Sequence, residues 1–199
     1  IAIGLAVYLV LALAAYATGG VGRAGAVVGI LLGTTIWAFG GAASFTLLFA
    51  FFVLGTAATK LGYARKAAAG IAQEKGGRRG PGNALSKTSI PALAAVFAAT
   101  TDFPVLFALA LAGAFATAAF DTVSSEVGKA YGRRTYLITT LRSVPRGTDG
   151  AVSLEGTAAG MGAGLFLGAL GAALGLYPPA GIFAVVLAAF VATTLESVV

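Results

Sequence analysis

The 199-residue sequence contains no cysteine and no histidine. Disulfides, zinc held by thiolate or imidazole, histidine-ligated haem and every Ser-His-Asp or Cys-His nucleophile are thereby excluded. Charge is scarce as well: only 10% of residues are Asp, Glu, Lys or Arg, against about 25% in soluble domains. Acids are the rarer sign, 7 against 13 basic residues, which leaves a formal charge of +6. Any chemistry must therefore use carboxylates, hydroxyls, Lys and Arg.

What the chain has instead is hydrocarbon. A hydrophobic share of 58% and a mean hydropathy of +0.93 identify an integral membrane protein. A helix needs about 20 apolar residues to cross a hydrocarbon core of roughly 30 Å. Seven apolar runs are present, near residues 1–18, 24–39, 43–60, 88–101, 103–121, 153–176 and 179–197. The expectation is an all-α, polytopic membrane protein of about six to seven transmembrane helices, one transmembrane domain over 1–199, with two polar cytoplasmic loops. Only Thr100, Thr101 and Asp102 separate the fourth and fifth runs, so one of the two is a candidate for a re-entrant or steeply tilted segment. The first run lacks a basic flank and a small-residue cleavage site and is read as a helix that stays. Both ends are expected to be trimmed, with a further helix missing at the C-terminus.

Apart from Arg23, every Lys and Arg falls in or beside two segments, Lys60 to Lys87 and Lys129 to Arg146. The positive-inside rule puts both in the cytoplasm or its equivalent compartment. An even number of crossings must separate them, and the fourth and fifth runs supply two. Alternation then brings Arg23 and Glu196 to the same side and leaves Gly40-Gly41, Asp102 and Tyr177-Pro178-Pro179 on the other. The excess positive charge is read as orientation plus attraction to anionic lipid headgroups; no nucleic acid partner is expected.

The polar loops lie near 61–87 and 121–152. In the first, Gln73-Glu-Lys-Gly-Gly-Arg-Arg-Gly-Pro-Gly-Asn83 follows a helical extension through Lys66 and Ala69. Glycine-freed amides beside Arg forks can cradle phosphate, with Lys75, Arg78, Arg79 and Asn83 as binding candidates. The spacing is not that of a Walker loop, and a mobile basic linker is the competing reading. The second loop carries more. If the fifth helix continues through Asp121, then Asp121 and Ser125 share one face while Thr122 and Glu126 share its neighbour. Ser124 joins them, so two carboxylates and several hydroxyls converge. Hard oxygen donors of this kind suit Mg²⁺, which takes one or two carboxylates plus substrate phosphates.

Downstream, Thr139, Thr140, Arg142, Arg146, Gly147, Thr148, Asp149, Gly150 and Ser153 supply anion donors and permissive backbone before the next helix, whose N-terminus can bind phosphate. The bland alternative makes Thr148 and Asp149 turn residues and Ser153 an N-cap. Gly160 to Gly164, Gly168 and Gly171 to Gly175 are expected to be seams of close helix packing.

Three blocks together resemble a known family: Asp121-Thr-Val-Ser-Ser-Glu-Val-Gly128, Thr135-Tyr-Leu-Ile-Thr-Thr140 and Val144-Pro-Arg-Gly-Thr-Asp-Gly-Ala-Val-Ser-Leu-Glu-Gly156. With Gly76 to Arg79 and Asn83, they resemble the transmembrane protein 19 family, closest to its photosynthetic branch, which includes a phytyl-phosphate kinase. The resemblance implies phosphoryl transfer from a nucleoside triphosphate, CTP before ATP, onto phytyl or a related prenyl monophosphate, serving tocopherol and phylloquinone synthesis. Animal members carry an amide at the position of Asp149, which argues against an obligatory charge there. On this reading Asp121 and Glu126 hold Mg²⁺, and Arg78, Arg79 and Arg142 grip phosphates. Asp121, Glu126 and Arg142 are thus the expected catalytic residues. Partners would be CTP or ATP, the prenyl monophosphate and membrane lipid, with a homo-oligomer left open.

Two rivals use the same inventory. A transporter of an anionic lipid or metabolite would show charges near the midplane and repeated halves. A CTP-dependent lipid cytidylyltransferase would differ only in its acceptor chemistry. The nature of the product, a diphosphate, a CDP-lipid or none, separates the three.

Overall fold

The computed structural model describes residues 19, 21–73, 75–77 and 80–198; the first apolar run, Arg78 and Arg79 lie outside the described residues. Helix α1 (Arg23–Lys60) covers the second and third runs. As a straight rod its 38 residues would extend about 57 Å, nearly twice the hydrocarbon thickness. Gly41 breaks it, with φ 67° and ψ −170°, a backbone region that only glycine enters without strain. The resulting segments, 23–40 and 42–60, are each roughly 27–29 Å long, matched to one crossing.

The helix stops at Lys60 rather than extending through Ala69. Gly62 is left-handed and starts a separate short helix, α2 (Tyr63–Ala68). A 3₁₀ turn at Lys75–Gly77 follows. Helix α3 (Pro81–Thr100) begins earlier than the fourth apolar run because Pro81 presets the first helical φ. Helix α4 (Pro104–Tyr131) runs past the fifth, since Val123, Glu126 and Ala130 prolong its buried stripe. What was expected to open as a polar loop at 121 is therefore helix to Tyr131.

Strands β1 (Thr135–Leu137) and β2 (Ala151–Ser153) pair antiparallel, with Thr135 opposite Ser153 and Leu137 opposite Ala151. This small ribbon is the one departure from all-α among the described residues. Helices α5 (Leu154–Ala173) and α6 (Gly181–Glu196) complete the fold. By length and hydropathy α1, α4 and α5 suffice to cross a membrane, and α6 is a shorter apolar helix.

Helix α4 is the central post. Its Leu111, Ala112, Phe115, Ala116 and Ala119 are buried, and Phe115 stacks on Phe51 of α1 with ring centroids 5.6 Å apart. Small residues set its approach to α5. A Cβ on Gly156 would lie 2.5 Å from the Ser124 carbonyl, and one on Gly160 would lie 2.9 Å from that of Phe120. The expected glycine seam at Gly160 is thus present, and it starts one turn earlier. At the opposite end, Tyr177 fits against Gly171 and donates a hydrogen bond to the Gly168 carbonyl at 2.9 Å. Burial pushes the Tyr177 phenol up to about 12.

Candidate functional site

The polar ends of α1, α3, α4, α5 and α6 meet at one pole, and ion pairs link several of the elements there. Lys66 of α2 is 0% exposed and its ammonium donates to the Ala58 carbonyl at 3.3 Å, to the Thr59 carbonyl at 2.9 Å and to Glu126 Oε2. One side chain thus covers the last carbonyls of α1 and ties them to α4. A buried ammonium is tolerated only with such full pairing. Arg65 adds a second tie, donating to the Ala130 carbonyl at 3.3 Å and lying over the Tyr131 ring. Lys87 of α3 donates to Asp121 Oδ2 in a half-buried pair.

The loops meet as well. Gly147, at φ 87°, packs so closely on Ile71 that a Cβ would lie 2.6 Å from its methyl. Gly150, at φ 71°, sits against the Ser197 carbonyl at the end of α6. Both positions demand glycine, because left-handed backbone and missing side chain coincide.

Among the described residues, two cavities open at this pole. The larger, about 370 Å³, lies among α4, the ribbon, the start of α5 and the end of α6. It brings together Asp121, Ser124, Ser125, Gly147, Thr148, Asp149, Gly150 and Ser153 of the sequence-predicted set. The smaller, about 180 Å³, lies among α1, α3 and α4 and collects Asn83, Asp121, Ser125 and Glu126. Asp121, Ser125 and Lys129 line both. Their spacing of four residues stacks them on one helical face, so they form the wall between the cavities.

Not all expected residues arrive. Thr139, Thr140, Arg142 and Arg146 are exposed along the connection between the strands and line neither cavity. Lys75 lies in the 3₁₀ turn. Thr148 Oγ1 donates to the Pro145 carbonyl at 2.8 Å, the work of a turn residue. Ser153 Oγ accepts from the Gly156 amide at 3.1 Å and is the N-cap of α5. Both reach the larger cavity nonetheless.

The cations on the cavities are Lys87 and Lys129, which sequence reasoning had read only as orienting charge. Lys129 was legible as the third member of the Asp121-Ser125 spacing. Lys66 and Lys87 carried no local signal, because their partners lie 60 and 34 residues away. The hydroxyls of Thr157, Thr193 and Thr194 in the larger cavity were also missed, hidden in apolar runs.

Among the described residues, no group of three or more Asp and Glu forms a metal cage. Asp121 and Glu126 share the smaller cavity with the hydroxyls of Thr122 and Ser125; each carboxylate has one oxygen on a lysine, Lys87 and Lys66, so a Mg²⁺ there would take at most the other oxygen of each and leave its remaining ligands to phosphate and water.

Fold and pole define a polytopic helical integral membrane protein that concentrates its polar side chains at one end. Residues 6–199 match the family described as Integral membrane protein DUF92, and the chain belongs to that family. It is 48% identical over 171 residues to the uncharacterized membrane protein sll0875 of Synechocystis, covering 85% of this chain and 66% of that one. Identity to Protein VTE6, chloroplastic, of Arabidopsis thaliana is 43% over 184 residues, or 90% and 55% of the two chains. To the uncharacterized membrane protein MJ0933 of Methanocaldococcus jannaschii it is 33% over 144 residues, 71% and 57%. The chain thus spans between 55% and 66% of the length of these relatives. No solved structure matches it.

Proposed function

We propose that this chain carries the catalytic pole of a membrane-embedded kinase that transfers the γ-phosphoryl group of a nucleoside triphosphate to phytyl or a related prenyl monophosphate. CTP as donor rests on the resemblance of the Asp121, Thr135 and Val144 blocks to the phytyl-phosphate kinase branch, as does a role in making tocopherol and phylloquinone. The observation that carries the reading is the wall of Asp121, Ser125 and Lys129 shared by two cavities. A reaction between two phosphates needs two adjoining seats with charged groups at their junction, and little covalent work from the protein.

In the proposed step an oxygen of the ionised acceptor phosphate attacks the γ-phosphorus. The new P–O bond forms as the bond to the β,γ-bridging oxygen breaks, and its electron pair leaves with the nucleoside diphosphate. The acceptor needs no deprotonation, so the absence of histidine is no obstacle. Lys129 faces both cavities and would neutralise charge on the transferred group. Lys87 would hold Asp121 in position and face the acceptor side. Asp121 on the shared wall and Glu126 beside it on the smaller cavity are the residues that would hold Mg²⁺, which when bound would neutralise charge on the reacting phosphates. The clustered Lys and Arg support a cytoplasmic or stromal orientation for this pole.

The test is purified full-length protein with Mg²⁺, γ-labelled CTP or ATP, and phytyl or geranylgeranyl monophosphate, resolved by thin-layer chromatography. Label is expected in a prenyl diphosphate. Folded protein that transfers none with any pair overturns the reading.

A further inference from the structure

The two cavities are unequal, and one holds an unused polar atom. Thr193 of α6 is 7% exposed and lines the larger cavity, and its hydroxyl has no hydrogen-bond partner among the described residues. Its neighbours do otherwise: Thr194 Oγ1 donates to the Phe190 carbonyl at 2.7 Å, and Ser197 Oγ to the Thr193 carbonyl at 3.0 Å. Thr34 and Thr56 also carry buried hydroxyls without a partner among the described residues, but of the three only Thr193 lines one of these cavities, where a ligand can complete it.

Size assigns the ligands. A prenyl tail needs no cavity, since lipid already solvates it, and only its phosphate head needs a polar seat. A nucleotide has no such refuge and requires enclosed volume. Ligand cavities for molecules of that size span about 300–1,000 Å³; the larger cavity, about 370 Å³, falls inside this range and the smaller, about 180 Å³, below it. Charge agrees. The smaller cavity balances Lys87 and Lys129 against Asp121 and Glu126, a neutral lining that admits a phosphate monoester. The larger one sets Asp121, Asp149 and Glu196 against Lys129, an acidic balance that admits a triphosphate only with an accompanying divalent cation.

Resting on the kinase reading, we propose that the larger cavity seats the nucleoside triphosphate, with the Thr193 hydroxyl bonding its nucleoside part, and that the smaller cavity seats the lipid phosphate. Phosphoryl transfer then passes across the wall of Asp121, Ser125 and Lys129.

The test compares full-length wild type, Thr193→Val and Thr193→Ser in nanodiscs. The readouts are nucleotide-induced thermal stabilisation with Mg²⁺ and KM for each substrate. Thr193→Val is expected to be at least as heat-stable as wild type without ligand, yet to bind nucleotide tenfold or more weakly and to raise its KM equally. The prenyl phosphate KM should move less than twofold, and Thr193→Ser should recover most of the lost affinity. A Thr193→Val change confined to the prenyl phosphate KM, or no change in either, overturns the assignment. Wild type that shows neither nucleotide binding nor transfer instead refutes the kinase reading. Photo-crosslinking of wild type with an azido-nucleotide decides the matter even if the valine variant does not fold. Label is expected within 190–198, and label confined to 83–87 overturns the proposal.

Discussion

Substitution of Lys66 by Met probes the buried tie at the pole. Lys66 is 0% exposed and Glu126 5%. Removing the ammonium strands a carboxylate in the interior, a loss of about 3–5 kcal/mol. The carbonyls it served fare differently. Ala58 keeps a second donor in the Leu61 amide at 3.2 Å, whereas the Thr59 carbonyl loses the one bond described for it. In Lys66→Met/Glu126→Leu the charge problem vanishes and that carbonyl remains, so the double variant should fall about 1–3 kcal/mol below wild type. The single loss should thus exceed the double one. SDS titration of mixed micelles, followed through Trp37, the only tryptophan, reads all of these. A Lys66→Met loss under about 1 kcal/mol would mean the pair is hydrated and contributes as little as a surface pair. The same double variant separates two roles for Glu126. Folded and inactive is the expected result; folded and active would leave Glu126 a clamp and take it out of the proposed Mg²⁺ set.

Three other outcomes follow from the same geometry. Asp121→Asn should abolish turnover while changing stability by no more than about 1 kcal/mol, because its pair with Lys87 is half-exposed; retained turnover removes Asp121 from the transfer step. Lys129→Met should lower kcat/KM at least tenfold whereas Arg142→Lys should stay within about threefold, since only the former faces the cavities; the reverse order would return Arg142 to the phosphates. Gly156→Ala drives a methyl to 2.5 Å from the Ser124 carbonyl and should cost about 1–3 kcal/mol by SDS titration; a neutral result would mean α4 and α5 sit farther apart.

The sequence was most legible where a physical rule acts locally. Apolar length located the long helices, and Gly40-Gly41 marked the break that divides α1. The four-residue spacing of Asp121 and Ser125 announced the face of α4 that lines both cavities. The rule failed at boundaries where tertiary packing decides. Nothing in the apolar pattern says that α4 continues to Tyr131, because the stripe that extends it includes Glu126, a charge made tolerable by Lys66. Arg142 and Arg146 illustrate the opposite case. Their company of glycines and hydroxyls suggested phosphate, yet pairing of Thr135 with Ser153 turns that stretch into a ribbon that holds both outward.

The distribution of buried charge also weighs between an enzyme and a carrier. Moving an anion through the hydrocarbon requires polar or ionised groups at intermediate depth, since an unsolvated charge there is costly. Among the described residues the buried ionised side chains are Lys66 and Glu126, both at the pole. Along α4 the stretch from Ala108 to Phe120 buries only alanine, leucine, glycine and phenylalanine. Phe115 and Phe51 close that level by stacking. An anion gathered at the pole thus meets no buried ionised side chain below it among the described residues, an arrangement suited to holding phosphates for reaction beside the lipid rather than passing them through it.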